Sequence, residues 1–326
     1  MSHIAKRLMI LVGALFAASM FYSSPAAAQA TRTWVSGVGD DVNPCSRTAP
    51  CKTFPGAISK TAAGGEINCL DPGGFGAVTI VKSMTIDCGE TLAGILVAGT
   101  NGVTINTTTD PNSRVTLRGL IIDGGPPGSN SLQAVRVVEA GVVTIENSRL
   151  FNFSGTPGRG ITVDGTAANT QLFVVNSTID NNSGGGIVLS PGGGFTAAVT
   201  LKNVRLLNNG TAQLFITTAS GASAVSATVI DSELAGGGVT GTAGVSAKAL
   251  TGTATVLVKS SSVTGNPGAG LNANGAGAAI RVGDTAINNN GTGMNTANSG
   301  KIESYGDNDV TGNTVPGAFT ATIPQS

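Results

Sequence analysis

The sequence predicts an all-β fold, a right-handed parallel β-helix in which every coil of a solenoid carries three short strands. Three observations predict it. One segment recurs at a nearly constant interval, apolar residues fall in the same columns of each recurrence, and Gly and Asn crowd the positions between them.

The recurrence comes first, because a fixed period of this length signals a repeat architecture. VTLRGLIID, VTIENSRLFNF, FVVNSTIDNN, VTLKNVRLLNN, ATVIDSELAGG, VLVKSSSVTGN, IRVGDTAINNN and IESYGDNDVTGN align on Gly119, Asn147, Asn176, Asn203, Asp231, Ser260, Asp284 and Asp307. The spacings are 28, 29, 27, 28, 29, 24 and 23 residues, irregular in the way that turns vary while strands do not. Two positions before this anchor stand Leu117, Ile145, Val174, Leu201, Val229, Val258, Val282 and Tyr305. Three positions after it stand Ile122, Leu150, Ile179, Leu206, Leu234, Val263, Ile287 and Val310. A third apolar element follows a Gly-rich turn: Ile161 and Val163, Ile187 and Leu189, Leu214 and Ile216, then Leu271. Alternation with period two makes each element a strand. One coil cannot bury its apolar side alone, so stacked coils must share a continuous core.

The polar columns agree. Asn181, Asn208 and Asn289 share one turn position, and Asn182, Asn209, Asn266, Asn290 and Asn313 the next. Asn tolerates left-handed backbone, and its amide can bond to the coils above and below, so a stacked Asn ladder is expected. No run shows the 3.6-residue pattern of a helical solenoid or the hexapeptide period of a left-handed β-helix. A β-sandwich would not hold one period over so many repeats.

In chain order, residues 1–30 are expected to form a signal peptide. Lys6 and Arg7 supply a basic start, Leu8 to Tyr22 an apolar stretch, and Ala28-Gln29-Ala30 a cleavage site before Thr31. The apolar stretch is shorter than the roughly 20 residues a membrane span needs, and no later segment could span. Export to the periplasm or beyond the cell follows as an expectation. Residues 31–66 are expected to cap the solenoid, 67–315 to form it, and 316–326 to close its far end, with Phe319 tucked in.

Cleavage would also remove His3, the only histidine, which excludes Ser-His-Asp and Cys-His mechanisms and His-ligated metals. The remaining 16 basic and 18 acidic residues form no run of one sign, which argues against nucleic acid as a partner. Cys45, Cys51, Cys69 and Cys88 lie near the mature N-terminus and read as two disulfides. Of three connectivities, Cys45 with Cys51 and Cys69 with Cys88 is favoured, because the first closes a small loop and the second joins the similar segments EINCLD and MTIDCG. A four-thiolate zinc site is the competing reading, and the absence of a C-x2-C knuckle weighs against it.

The run Thr31 to Cys88 carries a resemblance. Trp34-Val35, Gly39-Asp40-Asp41, Asn43-Pro44-Cys45 and Pro50-Cys51-Lys52-Thr53-Phe54, with an amphipathic segment to about Thr61, resemble the N-terminal cap and first coils of pectate-lyase-like right-handed parallel β-helix repeat proteins of bacteria. The later repeats match that family's coil pattern. The resemblance implies a cap with a short helix from about Phe54 to Thr61, and it leaves function open, because the fold hosts lyases, hydrolases and adhesins.

The resemblance also implies that a substrate would lie along the strand after the Gly-rich turn. Its outward positions are Arg136, Thr162, Val188, Phe215, Asn272 and Asn295. One charge in six is a poor cleft for an acidic polymer. A lyase wants calcium-binding carboxylates and an Arg or Lys base, and a hydrolase wants paired aspartates. The best catalytic candidates are Arg136, Glu139, Arg159 and Asp164, with a surface ion-pair ladder as the plainer reading. Phe215, Asn272 and Asn295 are the candidate ligand-binding residues. No cofactor is expected; Asp40, Asp41 and Asn43 could cradle calcium but suit a turn better. Thr116, Thr144, Thr200 and Thr228 recur at one outward position, as in water-ordering faces, yet Phe173, Leu257 and Arg281 interrupt them and Thr favours strands anyway.

The function expected is an exported, non-catalytic scaffold that presents a surface to a polysaccharide or another cell-envelope glycan. The alternative is a polysaccharide lyase or glycoside hydrolase acting on an acidic polysaccharide along the β-helix groove.

Overall fold

The computed structural model describes residue 4 and residues 29–89, 91–237 and 243–325. The expected signal peptide therefore lies, apart from Ile4, Gln29 and Ala30, outside the described residues. Among the described residues no helix is long and apolar enough to cross a membrane.

Among the described residues, strands fall into three parallel sheets of 12, 10 and 9 strands, and each strand pairs with its counterpart one coil along. We call them sheet I, which holds Val142–Glu146, sheet II, which holds Arg149–Phe151, and sheet III, which holds Arg159–Val163. The chain visits I, II and III in turn and climbs one coil, giving a right-handed parallel β-helix.

The apolar columns stack as the alternation requires. Leu117, Ile145, Val174 and Leu201 lie in register in sheet I, and Ile122, Leu150, Ile179 and Leu206 in sheet II. All eight are at most 1% exposed. The column breaks only at its end. Ser304, not Tyr305, pairs with Val282, because the left-handed residue of that corner is Gly306 rather than Asp307. The last corner thus turns one residue early, and Tyr305 is left on the outside among Leu257 and Arg281.

The anchor column is explained by backbone conformation. Asn147, Asn176, Asn203, Asp231, Ser260 and Asp284 have φ between 47° and 53°, the left-handed region that Asn and Asp tolerate. Directly after it runs a buried hydroxyl ladder invisible in the apolar pattern. Ser148 Oγ accepts the Leu120 N–H at 3.1 Å and donates to the Glu146 carbonyl at 2.8 Å, and Ser232 and Ser261 repeat the arrangement.

The expected Asn ladder is present and lies inside the core. Asn182 Nδ2 donates to Asn209 Oδ1 at 2.9 Å, Asn266 to Asn290 at 2.9 Å, and Asn290 to Asn313 at 3.0 Å. The facing column of sheet III must be nearly side-chain-free to hold these amides. A Cβ on Gly186 would stand 3.0 Å from Asn209 Nδ2, and one on Gly270 only 2.8 Å from Asn290 Nδ2. The exception is instructive. The coil after Asn209 has Gly237 at the ladder position, and there the sheet III column carries Gln213 instead of Gly. Gln213 is fully buried, and its Oε1 accepts from Asn209 Nδ2 at 2.7 Å, so its amide fills the missing rung.

The N-terminal end is closed by α1 (Phe54–Ile58), shorter than the expected segment to Thr61, with Thr53 Oγ1 capping the Gly56 N–H at 3.0 Å. Residues 61 onward have already become the sheet I strand Thr61–Cys69, which pairs with Ala30–Val35. Sheet I therefore passes through the segment expected to be cap, and the cap is an insertion between its first two strands. Disulfides join Cys45 to Cys51 and Cys69 to Cys88. Trp34 points outward from the edge strand and is half-buried, because Thr33 and Val35 take the inward positions.

Candidate functional site

The strand after the Gly-rich turn belongs to sheet III, and its outward row runs in register as Thr79, Thr104, Arg136, Thr162, Val188, Phe215, Ser246, Asn272 and Asn295. All six positions read from the sequence are in this row. Ser246 was missed, because its strand, Ala243–Lys248, is built from small residues and follows a turn without an Asn. The row is not uniformly open. Thr162 and Val188 are buried, Arg136, Phe215 and Asn272 are half-buried, and Asn295 is exposed.

The four charged candidates do not form one cluster. Arg136 holds Asp164 of the next coil at 2.9 Å. Glu139, only 4% exposed, spends Oε1 on the N–H groups of Thr166 and Ala167, at 2.7 and 2.8 Å. These three residues clamp the loop after Val163, which the charge pattern alone could not reveal because Glu139 binds backbone rather than a cation. Arg159 stands apart. It lies half-buried with no carboxylate within ion-pair distance among the described residues, and burial pushes its guanidinium below the ordinary value against the opposing pull of Asp164. Arg159 Nε and the buried Thr162 Oγ1 lack hydrogen-bond partners among the described residues.

Arg159 opens onto a depression of about 430 Å³, which it lines with Phe215, Ser246, Thr211, Ala212 and Pro157. An amide chain continues the row beyond it: Asn272 Nδ2 donates to Ser246 Oγ at 3.1 Å, and Asn295 Nδ2 to Asn272 Oδ1 at 2.8 Å. A cation, an aromatic ring and a line of carboxamides thus share one face, the mixture that holds polar ligands with apolar flanks. The larger depression of about 510 Å³ around Arg118 differs in kind. There Arg118 is held between Asp87 and Glu146 at 2.8 and 2.9 Å, and Arg32 is held by Glu66, so its cations are spent.

In the cap loop of Asp40, Asp41 and Asn43, the chain's own groups bond to one another. Asp41 accepts from the N–H groups of Lys52 and Thr53 and from the Thr53 hydroxyl, and Lys60 Nζ donates to the carbonyls of Asp41 and Asn43. Among the described residues no three His, Cys, Asp or Glu side chains group to hold a metal.

Comparison with known proteins now places the chain. The family model for the right-handed beta helix region matches residues 73–230 and 159–322. The chain belongs to that family. No curated protein matches this β-helix in sequence. Among solved structures, the pectate lyase Pel9A is similar over 84% of this chain and 74% of its own, at 16% identity and a TM-score of 0.59. A rhamnogalacturonan lyase, at 13% identity, covers 83% of this chain and 75% of its own with a TM-score of 0.48. The A-module of the Azotobacter vinelandii mannuronan C-5 epimerase AlgE4, also at 13%, covers 81% and 91% at 0.48. At these identities the likeness is one of fold.

Proposed function

We propose that this protein is an exported, non-catalytic β-helix that binds an acidic glycan along the outer face of sheet III, without a bound cofactor. Residues 1–30 act in this reading as the export signal, 31–66 and 316–326 as the two closures, and 67–315 as the presenting solenoid, delivered to the periplasm or the cell exterior. One observation carries the proposal: the half-buried guanidinium of Arg159, with no carboxylate within ion-pair distance among the described residues, opens onto a depression that the ring of Phe215 also lines. A desolvated cation gains most from an anionic ligand, and an adjacent ring offers a face to the C–H side of a sugar.

The catalytic alternative draws on the fold it shares with a pectate lyase, but three of its four candidate groups, Arg136, Asp164 and Glu139, are engaged and only Arg159 is not. Arg136 is tied to Asp164, and Glu139 to the backbone. Neither is poised to take a proton from a substrate.

The test is titration of residues 31–326 with uronic-acid and neutral oligosaccharides. Arg159→Ala and Phe215→Ala are each expected to weaken binding of the acidic ligand about tenfold, the effect of losing one charge-assisted contact. Unchanged affinity in both variants removes sheet III from consideration. Ultraviolet-absorbing unsaturated ends, released from a uronic-acid polymer with or without calcium, would replace the binding reading with a lyase.

A further inference from the structure

A second cleft lies where sheet III turns the corner into sheet I, away from the Arg159 face. It has a volume of about 490 Å³, and Arg114, Asn112, Val142, Gln171, Ala168 and Phe195 line it. We propose that it is a separate binding site for a carboxylate-bearing oligosaccharide. The proposal goes beyond the sheet III reading and does not depend on it.

Two arginines on one strand have unlike surroundings. Arg114 and Arg118 both point outward from Arg114–Arg118. The register puts Asp87 and Glu146 beside Arg118, which binds both. The same register puts Val142 beside Arg114, and its own N–H bonds to Ser83 Oγ at 3.1 Å. Asp110, on the neighbouring loop, accepts from Ser83 Oγ and from the Asn112 N–H. Arg114 therefore has no carboxylate within ion-pair distance among the described residues, on a molecule where most arginines on the sheets have one.

The cleft is also built before any ligand arrives. Its wall is the loop of Ala167, Ala168 and Asn169, which Glu139 and the Arg136–Asp164 pair clamp from the coil before. Asn169 Oδ1 accepts the Thr196 N–H at 2.9 Å, which ties that wall to the residue after Phe195. The buried Glu139 carboxylate, which has no ion-pair partner among the described residues, thus serves to fix this wall, and fixed walls reduce the ordering cost of binding.

The chemistry selects the occupant. The cleft crosses successive coils, about 14 Å at about 4.8 Å per coil, and its floor is the outward face of a paired sheet. It offers no free strand edge to a peptide backbone. What it offers is the Arg114 guanidinium with the Asn112 amide on one coil, the Gln171 amide two coils on, and the Phe195 ring at the far end. Those groups match a carboxylate, hydroxyls and the C–H face of a sugar ring.

Isothermal titration of residues 31–326 with a galacturonic-acid tetramer, a galactose tetramer and tetra-aspartate tests this. The acidic tetramer is expected to bind at two sites per chain, one of them weakened at least tenfold by Arg114→Ala and by Phe195→Ala and partly kept in Arg114→Lys. Arg114 is exposed, so its variants report on binding even if Phe195→Ala fails to fold. Loss of one site in Arg159→Ala alone, with Arg114→Ala unaltered, overturns this inference and leaves the sheet III reading standing. The reverse pattern sinks the sheet III reading and supports this one. Equal affinity for tetra-aspartate, or for the neutral tetramer, overturns the assignment of an acidic sugar.

Discussion

The two ends of the solenoid solve the same problem with unequal means. Each end exposes an apolar core and unpaired strand edges, and both must be covered. At the N-terminal end the ring of Phe54 is fully buried against Phe75, with centroids 5.2 Å apart. The edge strand Ala30–Val35 is itself covered: Trp34 N–H donates to the Cys45 carbonyl and Cys51 N–H to the Trp34 carbonyl, inside a disulfide loop. At the C-terminal end the final strand, Ala321–Thr322, is two residues long, Phe319 is only half-buried, and Val315 is 53% exposed. The last strand of sheet II, Asp309–Thr311, has no strand beyond it among the described residues. The contrast teaches that closure is concentrated at the N-terminal end and tapers toward the other.

The largest test of this contrast exchanges one aromatic at each end. Phe54→Ala should cost about 3–5 kcal/mol, because a large side chain leaves a cavity in a rigid shell. Phe319→Ala should cost about 1 kcal/mol or less, because its site is already open and can collapse. Denaturant unfolding of residues 31–326 measures both. Comparable losses would show that the C-terminal end bears as much of the closure as the N-terminal one.

The same taper should appear along the ladder that runs toward that end. Asn209 is fully buried, takes two donors from Asn182 and gives its own amide to the Ile179 carbonyl and to Gln213. Asn313 closes the series on a half-buried position. Asn209→Ala should cost about 2–4 kcal/mol, since at least two buried groups lose partners at about 1–3 kcal/mol each. Asn313→Ala should cost about 1 kcal/mol, because water can reach the groups it abandons. Equal costs would mean that the ladder acts through something other than burial.

How far the sequence disclosed all this depends on whether a feature repeats. Columns such as Ile145, Val174 and Leu201 recur at a period, so the coil, its register and the outward row of sheet III could be read directly. The Asn ladder was legible for the same reason. Features built from single residues were not. Gln213 completes the ladder from a different column, and nothing in the alignment marks it. The shifted last corner depends on Gly306 adopting a left-handed conformation that the alignment assigned to Asp307. At the site, the pairing of Arg136 with Asp164 followed from adjacency, whereas the split between the Glu139 clamp and the free Arg159 required knowing where backbone N–H groups point. Arg114 gave no signal at all, since its interest lies in what the neighbouring coils fail to place beside it.

The smallest effect sharpens the account of the stronger end. Burial pushes the Asp41 carboxyl up, but the hydroxyl and N–H of Thr53, the N–H of Lys52 and the charge of Lys60 outweigh it and hold the group below the ordinary carboxylate value. A folded value below the unfolded one of about 3.9 means that Asp41 stabilises the cap fully above that pH. The contribution is lost as the pH falls through the lowered folded value. The Asp41 carboxyl carbon should therefore titrate with a midpoint below about 3.9, and Asp41→Asn should flatten the acid dependence of cap opening under pH 4. A midpoint at or above the unfolded value would mean that the loop is held by Lys60 and its carbonyl partners alone, with Asp41 a bystander on the surface.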